Sequence, residues 1–232
     1  MSRMILSVLT AFFASSIALA DYSAVVYEQG SNKQKELYKL KVTSKPADGK
    51  ELINAVYTDT AGAVAIEQNT ILEGSKVIRD EVQQKQLNEV GLIEVKDGKI
   101  YFSKTSEGKT KVKEEKLKDT FVVSSSFQRH VKDNWADVMA GKTVAFRYGV
   151  WDRQETVGFE IFKTGTEKMG DQEVVVLKMK PSSFIIAAIV NPIIFKFKAD
   201  GSAILEMNGR TAPKRQDGKK WKDLDAEIVY SY

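Results

Sequence analysis

Cysteine is absent from the 232-residue chain. That excludes disulfides, thiolate metal sites, cysteine nucleophiles and an acylated lipoprotein cysteine. A single histidine, His130, excludes a multi-histidine metal centre, and neither a metal nor a cofactor is expected. The sequence has no G-x-S-x-G elbow, phosphate loop, dinucleotide fingerprint or calcium loop. An imbalance of charge is also missing. Thirty-five basic against 31 acidic residues give a formal net charge of +4, too balanced to point to a nucleic-acid partner. Charged residues make up 28%, which excludes a bundle of membrane helices.

The first twenty residues read as an address. Met1-Ser2-Arg3 is short and basic, Met4 to Phe13 is almost wholly apolar, and Ala18-Leu19-Ala20 supplies small residues at a peptidase site. A secretory signal peptide over 1–20, cleaved before Asp21, is expected. An uncleaved anchor would need about 20 apolar residues. The remaining 21–232 are then expected in the periplasm, with the outer membrane or the exterior as alternatives. They are long enough to build a core without staples and are read as one β-rich domain.

Turn signals punctuate that chain: Asp48-Gly49, Glu73-Gly74-Ser75, Asp97-Gly98, Glu107-Gly108, Gly170-Asp171, Asp200-Gly201 and Asp217-Gly218. Short runs rich in Val, Ile, Phe and Tyr lie between them, the mark of antiparallel hairpins. Period-two alternation agrees. It runs through Tyr38, Leu40 and Val42; Val144, Phe146 and Tyr148; Val157, Phe159 and Ile161; Val175, Leu177 and Met179; and Leu224 to Tyr232. About ten to twelve strands are expected by these criteria. The fold class is mainly β: a single curved antiparallel sheet or half-open barrel, with one amphipathic helix and one short apolar helix packed on it.

The amphipathic helix is expected over 124–140, where Phe127, Val131, Trp135 and Val138 form a stripe. Ser124 to Ser126 stand as caps, and Gly141 stands at the C-terminal end. The apolar helix is expected within 182–190, where Phe184 to Val190 is apolar all round and Asn191-Pro192 closes the segment. A strand reading of the same run stays open. Arg210 to Lys222 is basic and, with Pro213 and Gly218, is expected to be a loop.

Few residues offer chemistry. His130 lies beside the helical stripe and is expected at its boundary. Asp152 and Glu155, in the cluster Trp151-Asp152-Arg153-Gln154-Glu155, have the residue types of an acid/base couple, but Arg153 can pair with either. Lys109, Lys111 and Lys113 alternate along one strand face. They either protect a sheet edge or contact anionic headgroups or a partner. The apolar stretch 184–195, interrupted only by Asn191 and Pro192, will not stay wet at roughly 25 cal/mol per Å². It is expected either to plug the core or to line a pocket for a lipid or other apolar molecule, through Phe184, Ile185, Ile189, Phe195 and Trp135.

Three stretches carry a resemblance: W-A-D-V-M-A-G-K-T-V-A-F-R-Y-G-V-W-D-R-Q-E-T-V-G-F (135–159), with P-S-S-F-I-I (181–186) and N-P-I-I-F-K-F (191–197). With them the chain resembles uncharacterised exported bacterial β-rich proteins. Its general plan resembles the half-barrel of periplasmic lipoprotein carriers, which implies an apolar groove under helices. No catalytic residue follows from either resemblance, and no enzyme activity is expected. The expected function is apolar-ligand binding in the envelope. The alternatives are an outer-membrane barrel, suggested by the alternation of Leu224, Ala226, Ile228, Tyr230 and Tyr232, and an envelope interaction protein with a packed interior. The sequence does not set the oligomeric state.

Overall fold

The computed structural model describes residues 21–188 and 190–232. The expected signal peptide, 1–20, and Ile189 lie outside the described residues. Fifteen strands form one sheet, three more than the upper bound of the sequence reading. The first eight are β1 (Tyr22–Glu28), β2 (Glu36–Ala47), β3 (Lys50–Asp59), β4 (Val64–Glu73), β5 (Lys76–Gln84), β6 (Glu89–Lys96), β7 (Lys99–Ser106) and β8 (Lys109–Lys116). After β9 (Phe121–Val122) come two helices, α1 (Ser124–Asp133) and α2 (Trp135–Met139). Then follow β10 (Val144–Val150), β11 (Glu155–Met169), β12 (Gln172–Pro181), α3 (Phe184–Ala187), β13 (Ile193–Lys198), β14 (Ile204–Asp217) and β15 (Lys220–Ser231).

The sheet order runs from β8 down to β1, crosses to β15, and continues down to β9. Neighbours are antiparallel except β9 and β10. The Asp-Gly signals do what the sequence implied. At Asp48-Gly49, Asp97-Gly98 and Glu107-Gly108 the turn residues take positive φ and close two-residue hairpins. That left-handed geometry matches the strand twist.

One-residue slips of register at Val26/Tyr27, Tyr57/Thr58, Ile71/Leu72 and Lys163/Gly165 bend the strands. The sheet coils until strands far apart in the order meet. Gln154 Nε2 donates to Lys111 O at 2.8 Å. The Thr156 N–H and Oγ1 donate to the two carboxylate oxygens of Glu115, at 3.1 and 2.7 Å. Tyr38 Oη donates to Lys214 O at 2.8 Å, and the Lys214 N–H donates to Gln86 Oε1 at 2.9 Å. Trp151 lies flat over Gly91, where any side chain would collide with the indole. The cluster 151–155 is therefore a clasp between the ends of the sheet.

Inward positions are mostly apolar and outward ones mostly polar, as period two demands, with a buried polar strip on β3 to β5 as the exception. Two large cores result, beside a small cluster of Ala65, Ile66 and Val82. One gathers Val26, Leu40, Val42, Ile53, Leu72, Ile93, Phe102 and Ile228 from the first seven strands and β15. The other joins Phe127, Val131 and Val138 of the helices to Phe146, Ile161, Leu177, Phe195 and Phe197. Met207 and Tyr230 touch both.

Three expectations change. The helix expected over 124–140 is broken at Asn134, whose side-chain amide donates to His130 O at 2.8 Å and so competes with the helical ladder. Its apolar stripe is nonetheless the buried one, with Trp135 half-buried. The segment 210–222 is a hairpin of β14 and β15 rather than a loop, with Pro213 accommodated where the register shifts between Arg210 and Lys214. The apolar run after Ser182 forms only the single turn α3, without a serine side-chain cap, and it is not buried. Phe184 is 89% and Ile185 78% exposed.

Candidate functional site

Four tyrosines converge where the two cores meet. Tyr57 follows Ile53 and Ala55 on the inward face of β3, Tyr22 precedes Ala24 and Val26 on β1, and Tyr230 follows Ala226 and Ile228 on β15. Tyr148 follows Phe146 on β10. Register brings them into line. Tyr57 pairs with Leu40, Leu40 with Ala24, and Ala24 with Tyr230. Alanine at 24, 55 and 226 leaves the volume that large phenols then occupy. Tyr232 joins at the chain end, its ring 5.3 Å from that of Tyr22, which is itself 6.0 Å from Tyr230. Tyr232 Oη donates to Gln128 Oε1 at 2.9 Å.

Burial sets the chemistry of this cluster. It pushes Tyr57 and Tyr232 up to about 12. Tyr22, Tyr148 and Tyr230 rise as well, through burial first and then through neighbouring phenols at Tyr22 and Tyr230 and the Asp80 charge at Tyr148. All five are neutral at ordinary pH and present O–H groups as donors and acceptors. Among the described residues, the hydroxyls of Tyr22, Tyr57 and Tyr230 make no protein hydrogen bond, and none is sealed from solvent-sized space. Buried phenols usually find a partner. Here the residues are half-buried and the hydroxyls reach solvent-sized space, so water or a bound molecule completes them.

Beside them lies a polar strip on β4 and β5. Asp80 is 2% exposed. Its Oδ1 accepts from Thr70 Oγ1 at 2.6 Å and from Gln68 Nε2 at 2.8 Å. Ser124 Oγ donates to Gln68 Oε1 at 2.9 Å and also neighbours the Tyr148 hydroxyl. Burial raises Asp80 to about 6 against the two hydrogen bonds that favour its charge. The negative charge of Asp80 in turn helps to hold Tyr148 un-ionised. At one end α1 closes the interior. The Arg129 guanidinium pairs with Glu51 and donates to Gly74 O at 2.7 Å, and Ser75 donates to Asp133.

The residues singled out from sequence do not assemble into one site. Phe195 is core, 4.7 Å ring to ring from Phe127, and Trp135 packs on Phe197 at 5.7 Å. Phe184 and Ile185 stand outside the sheet, and Ile189 lies outside the described residues. The apolar segment thus neither plugs the core nor lines a pocket at these two positions, because the turn after β12 carries it away from the concave face. Lys109, Lys111 and Lys113 are exposed on the edge strand β8, next to the clasp, where Lys113 Nζ lies 3.4 Å from Arg153 O. Asp152 lies 4.0 Å from Lys214, and Glu155 is paired with Arg153 at 2.6 Å. His130 is not a boundary residue. It is 6% exposed, its ring is 5.0 Å from that of Phe146, and its Nε2 has no partner among the described residues. Burial lowers its pKa. No group of carboxylates and histidine among the described residues could hold a metal.

A depression of about 350 Å³ near the end of β1 is lined by Glu28, Gln29, Arg215, Asp223, Leu224 and Asp225. Its carboxylates are already answered: Glu28 by Lys35, Asp223 by Lys214 and Arg210, and Asp225 by Arg210. The tyrosine cluster, with unanswered hydroxyls, is the stronger candidate.

No family model matches the chain, and no curated protein matches it. Among solved structures it is similar to a β-barrel-like protein of a domain of unknown function, DUF1849, from Brucella abortus. The two are 10% identical with a TM-score of 0.46, over 91% of this chain and 95% of that one. The likeness is to a β-rich bacterial protein of an uncharacterised family, not to a lipoprotein carrier, and it transfers no residue role.

Proposed function

We propose that the protein is an exported binding protein that holds an amphipathic small molecule, with an apolar body and a hydrogen-bonding head, in the tyrosine-lined interior of its coiled sheet. The observation that carries this reading is the set of half-buried tyrosines, Tyr22, Tyr57 and Tyr230, whose hydroxyls make no hydrogen bond among the described residues. Rings from both cores supply an apolar wall, and the hydroxyls with Asp80 supply the polar contacts that fix a ligand's orientation. The leader-like residues 1–20 support export. The outer-membrane-barrel alternative is disfavoured by polarity. Strand faces such as Lys39, Lys41, Asp225 and Glu227 point outward, the reverse of the apolar exterior that lipid requires.

Native mass spectrometry of the protein purified from its own source, followed by solvent extraction, tests the proposal. A reproducible extra mass is expected. It should fall sharply in a Tyr57→Phe/Tyr230→Phe variant, which removes two hydroxyls and keeps both rings. An apo mass for the unaltered protein would mean that water alone completes the phenols.

A further inference from the structure

From Val174 to Ala199 the chain has four lysines and no carboxylate, and from Pro181 to Phe195 it has no charge at all. The structure turns this composition into a shape. The hairpin of β12 and β13 buries Val175, Leu177, Met179, Phe195 and Phe197 on its inner face, so Lys178, Lys180, Lys196 and Lys198 fall on the outer face. At the tip, α3 holds Phe184 and Ile185 almost wholly in solvent. The outward side chains nearest the tip include Ile194, opposite Lys178, and Phe162, with Lys180 Nζ 5.7 Å from its ring centroid.

The lysines are not equally engaged. Lys196 is held by Glu167 and Glu206, at 3.0 and 3.4 Å. Lys180 reaches Glu160 only at 3.6 Å, and Lys178 makes no ion pair among the described residues. The free positive charge therefore sits just behind the apolar tip.

Two large bare side chains cost free energy in water that burial would recover. Single exposed apolar residues are ordinary. A protruding pair at the end of an acid-free, lysine-bearing hairpin is not. An aromatic and a branched aliphatic residue that enter the acyl boundary, with ammonium groups at headgroup height behind them, fit an anionic lipid surface in both polarity and sign. We infer that the α3 tip of the β12–β13 hairpin docks the protein on an anionic membrane, with Phe184 and Ile185 inserted and Lys178 and Lys180 against the headgroups. This inference does not rest on the tyrosine-lined site, which lies inside the sheet.

Co-sedimentation with vesicles tests it. The probes are phosphatidylcholine vesicles with and without 30 mol% phosphatidylglycerol, the phosphoglycerol content being an experimental choice of roughly biological order. The protein is expected to pellet with the anionic vesicles and to be released by salt. A Phe184→Ser/Ile185→Ser variant should lose on the order of tenfold or more in apparent affinity and keep its melting temperature, because neither side chain touches the core. Lys178→Glu/Lys180→Glu should weaken binding to the anionic vesicles alone. Failure of the unaltered protein to pellet, or equal pelleting of the serine variant, would overturn the inference. So would a concentration-dependent dimer abolished by the serine variant in the absence of vesicle binding, which would assign the tip to a second copy.

Discussion

On one side of the tyrosine cluster, β3, β4 and β5 bury Glu51, Gln68, Thr70, Asp80 and Gln84 among their inward residues. On the other, β12 and β13 bury Val175, Leu177, Met179, Phe195 and Phe197, with no polar side chain among them. Both sets of strands belong to the same sheet and obey the same alternation. The difference lies in what must be held. Interlocked rings such as Phe127, Phe146, Phe195 and Phe197 fix one another's positions by shape. The polar strip opposite is fixed by hydrogen bonds and keeps a titratable group where water is scarce. A rigid apolar wall facing a tunable polar one is an arrangement suited to gripping an amphipathic guest.

The contrast can be broken most severely on the aromatic side. Phe197 is fully buried and touches both Phe195 and Trp135. Phe197→Ala is expected to cost about 3–5 kcal/mol in urea-induced unfolding. A loss under about 1 kcal/mol would show that this wall yields and refills, as poorly packed sites do.

The polar side answers to pH instead. Asp80 has its folded pKa raised from 3.8 to about 6, so the folded state holds this proton more tightly than the unfolded one. Stability is therefore expected to fall as pH rises from about 4 to about 6. The penalty is fully present above the folded pKa and absent below the unfolded one, with a size on the order of 3 kcal/mol. Asp80→Asn keeps an oxygen for Thr70 and Gln68 to donate to, and it removes the ionisation. It should raise stability near pH 7.5 by that order and change it little near pH 4. An effect independent of pH would mean that the carboxylate is solvated from the tyrosine cleft.

The smallest effect belongs to the edge of the polar half. Replacing Lys109, Lys111 and Lys113 together by Ser is expected to change unfolding free energy by no more than about 0.5 kcal/mol. Light scattering on concentrated samples should rise all the same, because the backbone groups of β8 lose their charged guard. A substantial loss of stability would instead place these ammonium groups in the clasp with Arg153.

What the sequence made legible was whatever is decided locally. The Asp-Gly pairs close hairpins because positive φ is cheap there. The stripe Phe127, Val131 and Val138 found the core because helical period and burial agree. What was not legible depends on the third dimension. The apolar run at Phe184 and Ile185 has no periodicity to say which way it faces, and the direction of the turn after Pro181 decides it. The tyrosines had a signal that sequence reasoning passed over: Tyr22 and Tyr57 each fall on the inward phase of a strand next to an inward alanine, and Tyr230 lies two inward positions beyond Ala226. Large beside small at a shared phase predicts rings that lean into a gap. That the gaps of three strands coincide is set by registers that no single strand encodes.

Every pair of neighbouring strands in the sheet is consecutive in the chain except one, β1 with β15. Each half can therefore zip up from its own hairpins, hairpin after hairpin, as the chain emerges from a ribosome or a translocation pore. Through all of that, β1 waits with a bare edge in the middle of the future sheet. Only when β15 arrives opposite β1 does the seam close and Tyr230 and Tyr232 come up against Tyr22. The closing of the sheet waits for that strand. A nascent chain that stalls before β15 would display two unpaired edges at the centre of its sheet and would depend on a chaperone to keep other chains from filling the gap.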